Sequence, residues 1–150
     1  MLARVLCLAL AWTAAVAAAP APKDEPKLDK ATLAKIRKLQ IEQRDALKKE
    51  VQARQEEVRA GRATAAVVFD ASRRLLKAEL DLAATAKDRL AAHEAHLKVA
   101  RQVEKFSTAG YKAGLVTTAD YHKARAAVLE AEIGWLKAGG KEKKDSKEKK

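Results

Sequence analysis

Cysteine is nearly missing from this chain. The single one, Cys7, lies in the N-terminal apolar stretch, so no disulfide can form within the molecule. Aromatic residues make up 4% of the sequence, two each of Phe, Tyr and Trp, which leaves few rings for stacking on bases and few bulky core anchors. The three prolines all fall within Pro20–Pro26 and there are six glycines in total, so long helices meet few interruptions. No Gly-rich phosphate loop or nucleophile elbow is present. No segment sustains the alternation of a strand. No catalytic, cofactor-binding or metal-binding residue is assigned, and a non-enzymatic protein is expected.

The N-terminus reads as a secretory signal peptide. Arg4 supplies the positive charge, Val5 to Val16 the apolar stretch, and Ala17, Ala18 and Ala19 the small residues before a cut after Ala17 or Ala18. At most about 15 residues long, the stretch falls short of the roughly 20 that a spanning helix needs. Cys7 follows Arg-Val-Leu and sits too early to be a lipoprotein acceptor. Residues 1–18 are therefore expected to be a signal peptide and 19–30 a Pro-rich linker. A helical domain should occupy 31–138, and a disordered Lys-rich tail 139–150. The expected location is outside the cytoplasm, in the periplasm or at the outer membrane.

Charge is lopsided: 31 basic against 20 acidic residues give +11, and Lys141–Lys150 alone contributes six lysines against three acids. Basicity invites a nucleic-acid partner, but export and the scarcity of aromatic residues argue against one. An anionic membrane surface reached by the tail, or an acidic partner, fits better. The apolar share of 48% is inflated by alanine. Large apolar side chains are about a quarter of residues 31–138, which suits an elongated, coiled-coil-like bundle more than a wide globule.

The helices follow from periodicity. Ala31–Ala60 contains strong helix formers, with Leu33, Ile36, Leu47, Val51 and Val58 along one stripe. Asp45–Lys49 and Glu50–Arg54 place acid four residues before base. Gly61 ends this helix and Thr64 should cap the next. There Val68, Ala71, Leu75, Ala78 and Leu82 alternate by three and four, with Asp70–Arg74 as a further pair. Thr85-Ala-Lys-Asp88 resembles a capping box and implies a turn before a third helix, from about Ala86 to Lys112. One continuous helix from Ala65 to Lys112 is the competing expectation. Gly114 ends the third helix, Thr117 or Thr118 caps the fourth, and the fourth runs to about Ala138. The fold class is all-α, an elongated antiparallel bundle of two tandem helix–turn–helix repeats.

Those repeats, about 31–84 and 85–138, are related by a shift of 53 residues that lays Val58–Ala83 on Tyr111–Leu136 without a gap. Discounting alanines, Gly61/Gly114, Thr64/Thr117, Leu76/Leu129 and Glu79/Glu132 are identical. Arg59/Lys112, Leu75/Val128 and Leu80/Ile133 agree in character. Such duplication points to an extended or symmetric assembly.

The second copy reads Tyr111-x-x-Gly114, then Asp120, Ala124, Val128 and Ala131. It resembles the Tyr-x-x-Gly…Asp…Ala…Leu…Ala signature of TolC-like outer membrane efflux proteins. The first copy keeps Gly61, Ala71, Leu75 and Ala78 but has Val58 for the tyrosine and Val67 for the aspartate. The likeness spans residues 45–138. It implies a protomer with two structural repeats and a place in an efflux-type assembly. Family members are several hundred residues long and insert β-barrel strands, for which the links here are too short. A channel made by this chain alone is not expected, and no pore residue carries over.

Of the histidines, His93 and His96 lie three apart on one helix face beside Glu94, and His122 is remote in sequence. Two such ligands could begin a metal site, which still needs a third; solvated surface histidines are the favoured expectation. Glu79 and Glu132 are expected to be solvated or ion-paired rather than acid–base catalysts. The expected function is helix–helix packing, with copies of the chain or an envelope partner. The alternatives are a small basic periplasmic chaperone or metal-stress sensor, and a structural coiled coil bridging envelope layers.

Overall fold

The computed structural model describes residues 28–141. The expected signal peptide, most of the Pro-rich linker and nearly all of the tail lie outside the described residues. Four helices and no strands make up the described part: α1 (Lys30–Arg59), α2 (Ala65–Leu82), α3 (Ala86–Lys112) and α4 (Thr118–Lys137). The fold is all-α, as the periodicity implied.

Each boundary has a local cause. Asp29 caps α1, its carboxylate accepting the Thr32 N–H at 2.7 Å, and hydrogen bonding from the Thr32 side chain and backbone holds its carboxyl below the usual range. The helix thus starts inside the expected linker. Gly61 at φ +67° reverses the chain after α1. The Gly61 N–H donates to Val58 O at 3.0 Å and the Arg62 N–H to Glu57 O at 2.8 Å, which together satisfy the last carbonyls. The turn after α3 repeats this bond for bond. Gly114 has φ +70°, its N–H donates to Tyr111 O at 3.0 Å, and the Leu115 N–H donates to Gly110 O at 2.8 Å.

The two caps that follow these turns differ. Thr64 occupies the N-cap of α2 in an extended conformation, but its side chain makes no capping hydrogen bond. Thr117 does cap α4, accepting the Asp120 N–H at 3.1 Å while donating its hydroxyl to Asp120 Oδ2 at 2.8 Å. Asp120 is the acceptor that orients this hydroxyl, and Val67 in the first copy offers none. The expected cap at Thr64 is correct in place and lacks the bond.

The α2–α3 link is a real break. Ala83 is extended, and Thr85 with Asp88 forms a reciprocal capping box. Thr85 N donates to Asp88 Oδ2 at 3.0 Å and Asp88 N to Thr85 Oγ1 at 3.1 Å. The expected turn is present, and the continuous helix is not.

Short links make sequential helices antiparallel neighbours: α1 packs on α2, α2 on α3 and α3 on α4. Helix α2 also touches α4 and α1 grazes α3, whereas α1 and α4 do not meet. Helices α2 and α3 therefore form the middle of the bundle, with α1 and α4 at opposite edges. The core joins Val68 and Phe69 of α2, Leu97, Ala100 and Val103 of α3, and Ala124, Val128 and Ala131 of α4.

Two expectations about the helix faces need correcting. Val51 is buried and Leu47 and Val58 half-buried, but Leu33 is 52% and Ile36 37% exposed. The stripe continues where its neighbour stops: 30 residues of α1 span about 45 Å against about 27 Å for 18-residue α2. Arg37 already donates to the carbonyl of Leu82, the last residue of α2, at 3.0 Å. The acid-before-base pairs within helices also give way to other partners. Glu50 takes Arg74 at 2.8 Å, Arg54 takes Glu57 at 2.8 Å, Asp45 takes Arg44 at 2.7 Å, and Asp70 lies 4.0 Å from Arg73. Such exposed pairs are each worth little.

Both turn glycines occupy the left-handed region with open space around a would-be Cβ, so replacement costs backbone strain rather than a clash. Gly61→Ala and Gly114→Ala are each expected to lower unfolding free energy by about 1–2 kcal/mol. Urea unfolding followed by circular dichroism checks this; no loss in either variant would contradict the left-handed turns.

Candidate functional site

The positions singled out by sequence are architectural. Gly61, Thr64, Gly114 and Thr117 sit in the two equivalent turns at one end of the bundle. Tyr111 stacks on Tyr121, ring centroids 4.9 Å apart, bracing the α3–α4 turn. Asp120 completes the Thr117 cap. Ala124, Val128 and Ala131 are buried and line the seam of α4. From Tyr111 to Ala131 these positions join turn and seam within the α3–α4 hairpin, Gly61 and Thr64 lie in the α1–α2 turn, and together they do not converge on a pocket.

Glu79 and Glu132, the repeated carboxylates, are ion-pair partners. Glu79 of α2 lies 3.4 Å from Lys48 of α1, and Glu132 of α4 lies 2.8 Å from Arg101 of α3. Lys48 and Arg101 are themselves 53 residues apart, so the shift extends to the partner of each carboxylate. Each pair ties the two helices of its own hairpin together.

The histidines part company. His96 Nδ1 and the buried hydroxyl of Ser72 are 2.7 Å apart, linking α3 to α2. Burial holds the His96 pKa below its ordinary 6.5; Glu130 opposes that shift, while His93 and Arg73 reinforce it. This half-buried residue departs from the expected solvated surface histidine. Its neighbour His93 packs at Gly134 of α4, where an added Cβ would lie 3.1 Å from His93 Nδ1. His122 is exposed and meets the Tyr121 ring edge-on at 5.2 Å. Among the described residues, no three His, Cys, Asp or Glu side chains are grouped to hold a metal ion.

An open groove of about 360 Å³ lies where α1 passes the α2–α3 turn, edged by Arg37, Arg44, Lys48, Glu79 and Asp88 over an alanine-rich floor. Its charged groups are committed locally. Arg37 serves the Leu82 carbonyl, Arg44 bonds Asp45, Lys48 pairs with Glu79, and Asp88 is in the capping box. No nucleophile–base pair faces it.

Besides the start of α1, where Leu33, Ile36, Leu39 and Ile41 are exposed, large apolar residues line the outer side of α4. Leu129 is 47%, Ile133 52% and Leu136 44% exposed, on the side of the helix turned away from the buried seam. In the repeat, Leu129 and Ile133 match Leu76 and Leu80, both half-buried on α2. Position in the bundle makes the difference, since α2 is packed by three helices and α4 by two. Periodicity did carry the signal, as a second set of three-and-four spacings beside Ala124, Val128 and Ala131. It was masked because equivalent repeat positions are naturally assigned one environment. Among the described residues no helix is long and apolar enough to cross a membrane. Comparison with family profiles, characterised proteins and solved structures yields no match.

The His96 contact generates a pH dependence. A histidine whose folded pKa is depressed stabilises the fold fully above its unfolded pKa, and that contribution is lost as pH falls below it toward the folded value. Stability should therefore decline as pH drops from about 7 through about 6. His96→Gln should flatten this part of the profile. Chemical denaturation at stepped pH checks it, and an unchanged slope in the variant would remove His96 as the cause.

Proposed function

We propose that the chain is a non-catalytic helical protein of the cell envelope that works by packing its helices against other helices. The observation that carries this reading is the two-faced α4, with one apolar face in the core and a second left at the surface. A monomeric soluble helix normally keeps a polar outer face, and a contiguous apolar strip bordered by charges is a feature of interaction sites. The envelope location rests on the signal-like N-terminus, and the efflux-type setting on the resemblance of Tyr111, Gly114, Asp120, Ala124, Val128 and Ala131 to the TolC-like signature. Attraction of the Lys141–Lys150 segment to an anionic membrane surface belongs to the same reading.

Cell fractionation with N-terminal sequencing provides the test. The accumulated protein should be recovered with the periplasmic or outer-membrane fraction and begin at Ala18 or Ala19. Recovery in the cytosol with Met1 retained would overturn the envelope assignment.

A further inference from the structure

Helix α4 is built for two partners, and its chain supplies only one set. Its outer face carries Ala126, Leu129, Ile133 and Leu136 at alternating spacings of three and four, extending back through Ala119 and His122. In heptad terms Ala126 and Ile133 take a positions and Leu129 and Leu136 take d positions. We propose that this face is a self-association surface, on which a second copy of the chain lays its own α4 side by side and in the same direction about a two-fold axis. The proposal rests on the helix-packing reading above and assigns its partner and geometry.

Three observations select that occupant. First, a β-branched residue at a with leucine at d favours two parallel strands, and Ile133 between Leu129 and Leu136 meets the requirement. Second, among the two arrangements that set all four apolar residues against one another, the flanking charges suit only the parallel one. The g-position Arg125 faces the e-position Glu130 of the second copy, and Glu132 faces Lys137 of the second copy. Two-fold symmetry makes each pair twice. The reversed direction, with Leu129 opposite Ile133, would bring Glu130 beside Glu130 and Glu132 beside Glu132.

Third, the flanks are already ordered. Glu130 is held by Arg73 of α2 at 2.7 Å, Glu132 by Arg101 of α3 at 2.8 Å, and Arg125 by Glu104 of α3 at 2.8 Å. These pairs hold the charged side chains to either side of the apolar strip. A carboxylate or a guanidinium can serve a second partner without giving up the first.

Continuing the repeat from chain to chain, with α4 on α1 of the next copy, is a poorer fit. It would reuse the α2–α3 contact, whose close approach depends on buried Ser72 at 2.7 Å from His96. Arg125 occupies the equivalent place on α4 and is tied to Glu104. A two-helix seam of this length buries less than the roughly 800 Å² per partner of a standard interface. The dimer is accordingly weak and concentration-dependent.

Sedimentation velocity of the protein, in the form the cell accumulates, should show reversible monomer–dimer exchange. Ile133→Glu should weaken it by at least about tenfold. Because Ile133 is exposed in the monomer, helicity and the unfolding midpoint should stay unchanged when both proteins are compared at concentrations where they are monomeric. Orientation is read by cross-linking in a Cys7→Ser background. Leu136→Cys alone should oxidise to a covalent dimer, whereas an antiparallel pair with Leu129 opposite Ile133 would instead join Ala126→Cys to Leu136→Cys. A monomer at all concentrations, a dimer indifferent to Ile133→Glu, open-ended growth, or preferential mixed cross-linking would each overturn the proposal. A monomer recovered from the envelope fraction would overturn this geometry while leaving the envelope reading standing.

Discussion

Small side chains at the helix seams set the terms for the rest of this structure. Ala71, Ala78, Ala92, Ala100, Ala124 and Ala131 are all buried. They let helix backbones approach closely, yet each contact removes little apolar area from water. Stability must then be spread along the length of the helices rather than concentrated in one wide core. Val68, Phe69, Leu97, Val103 and Val128 supply the larger volumes between the seams. Cross-helix ion pairs such as Lys48–Glu79 and Arg101–Glu132 hold register at the margins.

The same economy bears on the functional reading. Helix α4 seats itself through Ala124, Ala127, Val128, Ala131 and Trp135, and the leucines and isoleucine on its other side take no part in that core. Large apolar residues beyond a helix's packing needs add a solvation cost that a partner would relieve. The α4 edge of the bundle thus leaves apolar groups unengaged, whereas in the groove beside α1 every charged group is engaged close at hand.

Much of the fold was legible because its causes are local. Gly61 and Gly114 mark chain reversals that suit glycine, and Thr85 with Asp88 announces a cap through spacing alone. The alternation from Val68 to Ala78 gives the buried side of α2. The remainder depended on neighbours. A stripe from Leu33 to Val58 cannot reveal that the adjoining helix is too short to cover its start. Thr64 and Thr117 look equivalent until the residue three places on is considered, where Asp120 orients one hydroxyl and Val67 cannot orient the other. Ser72 and His96 lie 24 residues apart, and only the antiparallel packing of α2 on α3 brings them together. For the site, sequence identified the residues of turn and seam but not the outward strip, because Leu76 and Leu129 hold equivalent places in the repeat and only the number of helices packed around α2 and α4 separates their environments.

The up-and-down connectivity also bears on how the chain reaches this state. Each helix packs chiefly against the next one along, across links of a few residues, so little loop entropy must be surrendered before contacts form. Topologies of this kind belong to the fast end of folding, on the order of microseconds to milliseconds. Each hairpin has its own glycine turn and its own cross-helix carboxylate. The chain is thus organised as two helical hairpins that share one core, with His96 meeting Ser72 where they join.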